Sequence, residues 1–300
     1  MRLPGLVRPF TDGSVEAQGD LFVEPIPCQH VQLSHELIEG VMGEVRPGRA
    51  LILGAGACRE IPLVSLAQRF EMIALQDQDG EALATAVSLL DDAQVKAVVT
   101  TEVRDLTGIT EALIAGAEQR LASAGSPEQA IELLIELVSG AALTLPPPRP
   151  EWDLVIVSCV GTQLHLRALE EITRRYEQRF GGDPAASLAR SAAWTDAMVR
   201  LTWRLQDAFI AHVLGLVERD GRIYLSDTVQ VGVLYERLAG GWRTPGWYRM
   251  MRERFLAEML PPSALPLHGG QWPYVVAAPS LAAPGLLYNV HAVVMTRRDA

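Results

Sequence analysis

The chain is short of cysteine, of basic charge and of long apolar runs, and each shortage excludes a class of protein. Cys28, Cys58 and Cys159 are its three cysteines; none stands in a C-x-x-C pair, and an odd set at these spacings builds no disulfide framework. A reducing, cytoplasmic setting is the expectation. Lys and Arg number 26 against 36 Asp and Glu, so the formal net charge of -10 repels a phosphate backbone. Broad nucleic-acid binding is therefore not expected. No segment approaches the ~20 apolar residues of a membrane span, and in the opening MRLPGLVRPF the prolines Pro4 and Pro9 interrupt any apolar stretch of the kind a secretory signal needs. The chain reads as soluble, with no membrane partner. Internal repeats and low-complexity tracts are absent as well.

What is present is apolar material. Hydrophobic residues make up 49% of 300 positions and charged residues 21%, enough for one large core with additions. Residues 1–45 read as an N-terminal arm and a helix, the helical spacing being clearest over HELIEGVMGEV (35–45). After the turn Arg46-Pro47-Gly48-Arg49, ALILG (50–54) is a continuous apolar run of the kind found in strands buried on both faces. In EIPLVSLAQRF (60–70), Leu63, Leu66, Ala67 and Phe70 recur at helical spacing and Pro62 suits a first turn; EMIALQD (71–77) is the next strand. The alternation continues through a helix at EALATAVSLLDD, strands at VKAVVTT (95–101) and WDLVIVSC (152–159), the helix DAFIAHVLGLVE and a fifth strand at DGRIYLSDTV (220–229). Such alternation predicts an α/β fold, a mostly parallel sheet with helices on both faces.

Three stretches depart from the alternation. Residues 108–145 have room for two helices, the second opening with Ser126 as N-cap and Pro127 in its first turn, and the spacer LPPPRP follows. A second helical insertion is expected near 181–204, beginning at Gly181-Gly182-Asp183-Pro184. The stretch 236–272 mixes Trp242, Trp247 and Tyr248 with Arg243, Arg249, Arg252 and Arg254; it suits a cap over an anionic or aromatic substrate, or an amphipathic surface helix. Finally PYVVAAPSL and LLYNVHAVVM, joined by Ala-Pro-Gly, predict an antiparallel hairpin. One domain over 46–300 follows.

Chemistry concentrates at strand ends. Gly54-Ala55-Gly56 directly follows the first core strand and precedes a helix, where missing side chains let backbone approach a ligand at the carboxyl edge of the sheet. Asp77 ends the following strand, the place from which a carboxylate accepts from both ribose hydroxyls of an adenine nucleoside. Asp77-Gln78-Asp79 also spells D-x-D, but solvated carboxylates at a strand end explain it, and Gly80 turns the chain so that Asp79 leaves the ribose. The spacing of His30 and His35 does not put them on one helical face, so no metal is assigned.

These segments resemble the class I S-adenosylmethionine-dependent methyltransferases. LILGAGA looks like their glycine-rich first motif, QDQD like the acidic end of the second strand, EVRDL (102–106) like the segment after the third and WDLVIVSCVGTQL like the fourth motif. GRIYLSD and the terminal hairpin match the last three strands of that fold. The resemblance implies a Rossmann-like seven-stranded sheet closed by an antiparallel hairpin, with S-adenosylmethionine as cofactor. It assigns the cofactor to Gly54, Ala55, Gly56, Asp77, Gln78, Asp105, Leu106, Ser158, Cys159 and Val160, with Asp105 on the adenine amine, the Leu106 backbone beside the ring, and residues 158–160 beside the methionine portion. Two positions depart from the family: Ile52 stands where an acid usually supports the cofactor's amino group, and Cys58 replaces a third glycine. Arg59 is placed to meet the cofactor carboxylate or to lie in solvent.

Methyl transfer from a sulfonium needs alignment more than covalent help, so a general base is optional. His165 and Asp227, near the carboxyl edge, are the candidates for one; a structural role suits each as well. His291, within an apolar strand, reads as a core histidine, and Cys58 and Cys159 as small hydrophobes. A small-molecule acceptor is expected. The same residues leave open transfer of the cofactor's aminocarboxypropyl group, nicotinamide-dependent oxidoreduction and a non-catalytic cofactor-binding regulator; against the oxidoreductase, Arg59 stands where G-x-G-x-x-G needs its last small residue.

Overall fold

Apolar runs punctuated by capped turns set the order of elements in the computed structural model, which describes residues 21–23, 29–141, 145–161, 163–181, 188, 191–236, 242–244, 247–249, 260–277 and 285–298. That order is β1 (Leu21–Val23), α1 (Gln29–Met42), β2 (Arg49–Leu53), α2 (Leu63–Arg69), β3 (Met72–Asp77), α3 (Gly80–Ser88), α4 (Ala93–Ala97), β4 (Val99–Val103), α5 (Thr110–Ser123), α6 (Pro127–Ser139), β5 (Trp152–Ser158), α7 (Leu166–Phe180), α8 (Ala192–Leu216), β6 (Val217–Glu236), β7 (Trp242–Thr244), β8 (Trp247–Arg249), β9 (Ala264–Ala277) and β10 (Gly285–Arg297).

The main sheet runs β4-β3-β2-β5-β6-β10-β9. β4, β3, β2, β5 and the first part of β6 are mutually parallel, while β10 enters antiparallel between β6 and β9. This is the Rossmann-like order with an antiparallel strand inserted, and it is the seven-stranded arrangement expected from the sequence. The central strands are largely apolar, as strands withdrawn from water on both faces must be: all seven residues of β5 are buried, as are Ala50–Leu53 of β2. At the edge, β4 is exposed from Thr100 onward, and its Thr and Glu side chains tolerate water where a central strand would not.

Local chemistry explains where elements start. Asp79 caps α3 by accepting from the amides of Glu81 and Ala82, and Ser126 caps α6 by accepting from Gln129 with Pro127 in the first turn. Other boundaries differ from expectation. The strand predicted over 95–101 begins only at Val99, because Asp92 accepts from the Gln94 amide and caps a short helix, α4, across Ala93–Ala97. Helix α1 begins at Gln29, ahead of the expected 35–45, and the insertion near 181–204 continues into the helix before the fifth strand as the single long α8. β6 also runs on to Glu236, where ladders with β10, β8 and β7 extend its pairing.

Two compact units divide the chain. The first, residues 1–104, 148–160 and 213–300, holds the sheet; its core includes Ile38, Ile52, Leu66, Ile73, Leu75, Leu154, Ile156 and Tyr224. Full burial of one such aliphatic side chain contributes about 1.5–3 kcal/mol. The second, residues 105–147 and 161–212, is helical, with Leu113, Leu121, Leu134, Ile172, Tyr176 and Leu201 in its core. Both expected insertions contribute to it. In the stretch expected to be a cap, the described parts are the end of β6, the short strands β7 and β8, and residues 260–272, which enter β9; β1 pairs with β7 and so ties part of the N-terminal arm to the sheet unit. Arg252 and Arg254, Cys28, residues 182–187 and residues 278–284, with the expected Ala-Pro-Gly turn, lie outside the described residues.

Candidate functional site

β2 and β5 are neighbours in the sheet, yet their following connections lead to opposite sides of it, β2 towards β3 and β5 towards β6. A sheet of this kind opens a crevice at the carboxyl ends of two such strands. Their register pairs Leu53 with Val157, so Gly54 and Ser158 emerge side by side. Gly54 and Gly56 take φ values of 66° and 48°, which side chains resist. A Cβ on Gly54 would also stand 2.2 Å from Cγ2 of Val160, so the glycine lets the two loops close on each other. At Gly56 space is free and only the backbone angle asks for glycine.

The loop is tied to β3. Gly54 and Ala55 both donate their amides to the Gln76 carbonyl at 2.8 and 3.1 Å, and the Gly56 amide donates to Oδ2 of Asp77 at 2.8 Å. Oδ1 of Asp77 accepts from the Asp79 amide at 2.9 Å, while the Asp79 carboxylate turns away to cap α3. Asp77 is therefore anchored at the end of the glycine loop, and Gln78 beside it is exposed. Cys58 and Cys159, at φ 52° and 54°, are the described non-glycine residues with positive φ. Left-handed backbone at such residues costs on the order of 1–2 kcal/mol, and strain of this kind gathers where a loop must take a set shape. Burial and the nearby charge of Asp77 push the Cys58 thiol up to about 12.

A partly buried polar chain joins these loops. The Ser158 hydroxyl donates to Oε2 of Glu60 at 3.1 Å and shares a 3.2 Å hydrogen bond with Ser226. The Cys159 amide donates to the Ser226 carbonyl at 2.8 Å, and its thiol reaches Glu60. On the other side Nε2 of His30 lies 3.0 Å from Oε1 of Glu60, and the Trp272 indole nitrogen donates to Nδ1 of His30 at 2.8 Å. Burial pushes the Glu60 carboxyl up, but the hydrogen bonds from His30, Ser158 and Cys159 outweigh it and hold the group below its ordinary value. Burial, followed by the charges of Glu60 and Asp227, pushes the Cys159 thiol well up.

His30, Glu60 and Cys159 bring potential metal donors within 4.8 Å of one another. Their hydrogen bonding does not suit an ion. An indole nitrogen only donates, so Nδ1 of His30 is the acceptor and the ring hydrogen sits on Nε2, the atom a metal would need bare. Cys159 is held as a thiol, whereas a metal binds thiolate. Sequence reasoning passed over Glu60 because it sought an acid before the first glycine, and considered His30 only with His35.

The remaining candidates sit elsewhere. Asp227, 1% exposed, accepts from the Thr228 amide at 2.8 Å and stands opposite His291 in the β6–β10 ladder. Burial lowers His291 to about 4, in keeping with a core histidine. Arg59 is exposed. In the helical unit, Asp105 accepts from the amide and hydroxyl of Thr107 at 2.9 and 2.7 Å and from the Thr110 amide at 2.9 Å, so its carboxylate shapes the start of α5 and the turn that carries Leu106. Burial raises the Asp105 carboxyl, but these bonds prevail and hold it low. His165 precedes α7, where burial lowers it. Its Nδ1 lies 3.2 Å from the Thr202 hydroxyl, whose single hydrogen goes to the Met198 carbonyl at 2.9 Å. The hydroxyl oxygen must then accept from Nδ1–H, which leaves a lone pair on Nε2.

No family model and no curated protein matches the chain. Among solved structures it is similar to the YcgJ protein from Bacillus subtilis (15% identity, 90% of this chain and 99% of that one, TM-score 0.40) and to the CcbJ methyltransferase from Streptomyces caelestis (10% identity, 91% and 96%, TM-score 0.38). It is also similar to an rRNA methylase from Streptococcus thermophilus (10% identity, 91% and 99%, TM-score 0.34). Likeness at this level does not identify an activity. What places the fold is the strand order of the chain itself, β4-β3-β2-β5-β6-β10-β9 with β10 antiparallel, which is the seven-stranded arrangement of the class I methyltransferase fold.

Proposed function

We propose that this protein is an S-adenosylmethionine-dependent methyltransferase acting on a small molecule. One juxtaposition carries the reading: a glycine loop, an acid-terminated β3 and the end of β5 all border the crevice side of the switch between β2 and β5, where an adenine nucleoside with a charged tail finds backbone, carboxylate and hydroxyl together. In this reading Gly54, Ala55 and Gly56 let the cofactor approach the backbone, and Asp77 exchanges its bond to the Gly56 amide for the ribose hydroxyls. Gln78 flanks the ribose, Ser158, Cys159 and Val160 lie beside the methionine portion, and Asp105 and Leu106 keep the adenine role that the resemblance gives them.

When bound, the cofactor supplies an activated methyl group. The chain's own task is to orient it, exclude water and, for an acceptor that must lose a proton, take that proton. His165 is the better base of the two candidates, because its Nε2 lone pair is free of the Thr202 bond and burial keeps the ring neutral at neutral pH. Asp227 has an oxygen committed to the Thr228 amide, which suits a structural part. The antiparallel β10, which a dinucleotide-binding sheet lacks, weighs against a nicotinamide enzyme. Calorimetric titration with S-adenosylhomocysteine and with NAD tests the reading: binding of the first alone is expected, and binding of NAD alone would overturn it.

A further inference from the structure

Two hydrogen-bond acceptors in the helical unit have nothing to accept. Gln206, on α8, is 2% exposed, and its Oε1 is withdrawn from water with no donor among the described residues. The orientation of its amide is fixed, because Nε2 donates to the Gly161 carbonyl at 3.3 Å and turning the group over would set oxygen against oxygen. The second acceptor is Nε2 of His165. The Thr202 hydroxyl gives its hydrogen to the Met198 carbonyl and takes the one on Nδ1, so Nε2 is left with a lone pair, and among the described residues nothing donates to it.

One turn of α8 holds both. Thr202 and Gln206 are four residues apart, which makes them neighbours on one helix face, about 5–6 Å apart at Cβ. Thr202 holds His165 and Gln206 holds Gly161, so the segment 161–165 runs along this turn, just past the end of β5. Buried acceptors left unfilled destabilise a fold, and an apolar side chain at 206 would avoid the penalty. A buried carboxamide kept there, beside a histidine with a spare lone pair, points to a partner that arrives from outside.

That partner must bring hydrogens. A carboxylate or phosphate would set further lone pairs against the two acceptors, and a metal ion would find one nitrogen and one amide oxygen without the carboxylate or thiolate that ordinarily completes its set. Both acceptors are neutral, so neither compensates a cation that has left water. The group that fits is an uncharged N–H or O–H.

We infer that Gln206 and His165 together receive an uncharged amide, amine or hydroxyl group of the methyl acceptor, with Gln206 as the residue that selects for it. Calling this ligand the methyl acceptor rests on the methyltransferase reading; the preference for a hydrogen-bond donor does not.

The test is an NMR titration of the wild-type chain and of Gln206→Met with acetamide and with acetone, which has the same shape but a methyl group in place of the amide nitrogen, each with and without saturating S-adenosylhomocysteine. The wild type is expected to favour acetamide by about tenfold or more. Acetamide is also expected to move the ring resonances of His165 and the side-chain amide resonance of Gln206, and acetone to leave them in place. Gln206→Met, similar in length but without the amide, is expected to lose most of the preference; if it does not fold, the resonance shifts in the wild type decide the matter. Equal binding of the two probes, binding of neither, or a preference undiminished in Gln206→Met would overturn the inference and leave the two acceptors to water alone. If the preference holds but S-adenosylhomocysteine does not bind the wild type, the donor site stands and the methyltransferase reading falls.

Discussion

The Trp272 indole nitrogen donates to Nδ1 of His30 across 2.8 Å, joining residues 242 positions apart in the sequence. Both are buried, one on a strand of the C-terminal hairpin and the other on the first helix. Because the indole has a hydrogen and no lone pair to offer, the bond determines which His30 nitrogen faces Glu60 with a hydrogen.

Replacing Trp272 by Phe leaves that acceptor without its donor. The variant is expected to lose about 1–3 kcal/mol of stability through the unsatisfied nitrogen, with a further loss from the smaller ring. Denaturant unfolding of Trp272→Phe, His30→Ala and the pair measures it: a coupling of about 1 kcal/mol between the two sites is expected, and additive effects would show that the bond is not made.

Gly54→Ala combines two costs. The backbone angle asks about 1–2 kcal/mol of a side chain, and the 2.2 Å approach of Val160 adds about 1–3 kcal/mol of overpacking. Adding Val160→Ala is expected to restore the packing part and leave the backbone part. Thermal melts showing no rescue would mean that the loops are not in contact there.

Asp77→Ala and Asp79→Ala separate two neighbouring carboxylates. The first should weaken S-adenosylhomocysteine by about tenfold to a hundredfold, because it removes both the proposed ribose acceptor and the anchor of the Gly56 amide. The second should cost about 1 kcal/mol of stability through the lost cap on α3, with a smaller effect on binding. Calorimetry and melting curves on both variants decide it; the reverse ranking would place the ribose elsewhere.

His291 makes stability depend on pH. The unfolded chain takes up a proton below about 6.5, whereas the folded chain resists until about 4, so the unfolded state binds more protons between those values and stability falls as pH drops through that window. At about 1.4 kcal/mol per pH unit the loss approaches about 3 kcal/mol. His291→Gln should remove that share of the slope. Identical slopes in denaturant titrations from pH 7 to 4 would show that His291 is protonated in the folded state.

Much of this arrangement was legible in the residues. ALILG and WDLVIVSC read as strands because a strand buried on both faces is largely apolar, EMIALQD read as the strand that completes the first strand-helix-strand unit, and β2, β3 and β5 stand within a residue of those limits. Ser126 and Pro127 marked the start of α6 by chemistry that acts only on its own turn. The strand at 95–101 was misplaced because Asp92 caps a helix inside an apolar stretch whose length suits either element. Glu60 and His30 stayed hidden for another reason. Their roles arise from contacts with Ser158 and Trp272, and no local pattern around Arg59-Glu60-Ile61 signals a partner that distant in sequence.

The position of β10 between β6 and β9 constrains the order in which the molecule can be finished. Among the described residues β9 pairs with β10 alone, so during synthesis residues 264–277 leave the ribosome before the ladder they join, which waits for 285–297. Until then the far side of β6 along Ile223–Leu234 is an open edge able to pair with another chain, a liability of late, long-range strand pairing. Trp272 lies on β9, so the hydrogen bond that orients His30 towards Glu60 waits for the same event. A nascent chain that already has its glycine loop and Asp77 in place would still lack the run of contacts from Trp272 through His30 to Glu60, which is completed only with the last strand to be inserted.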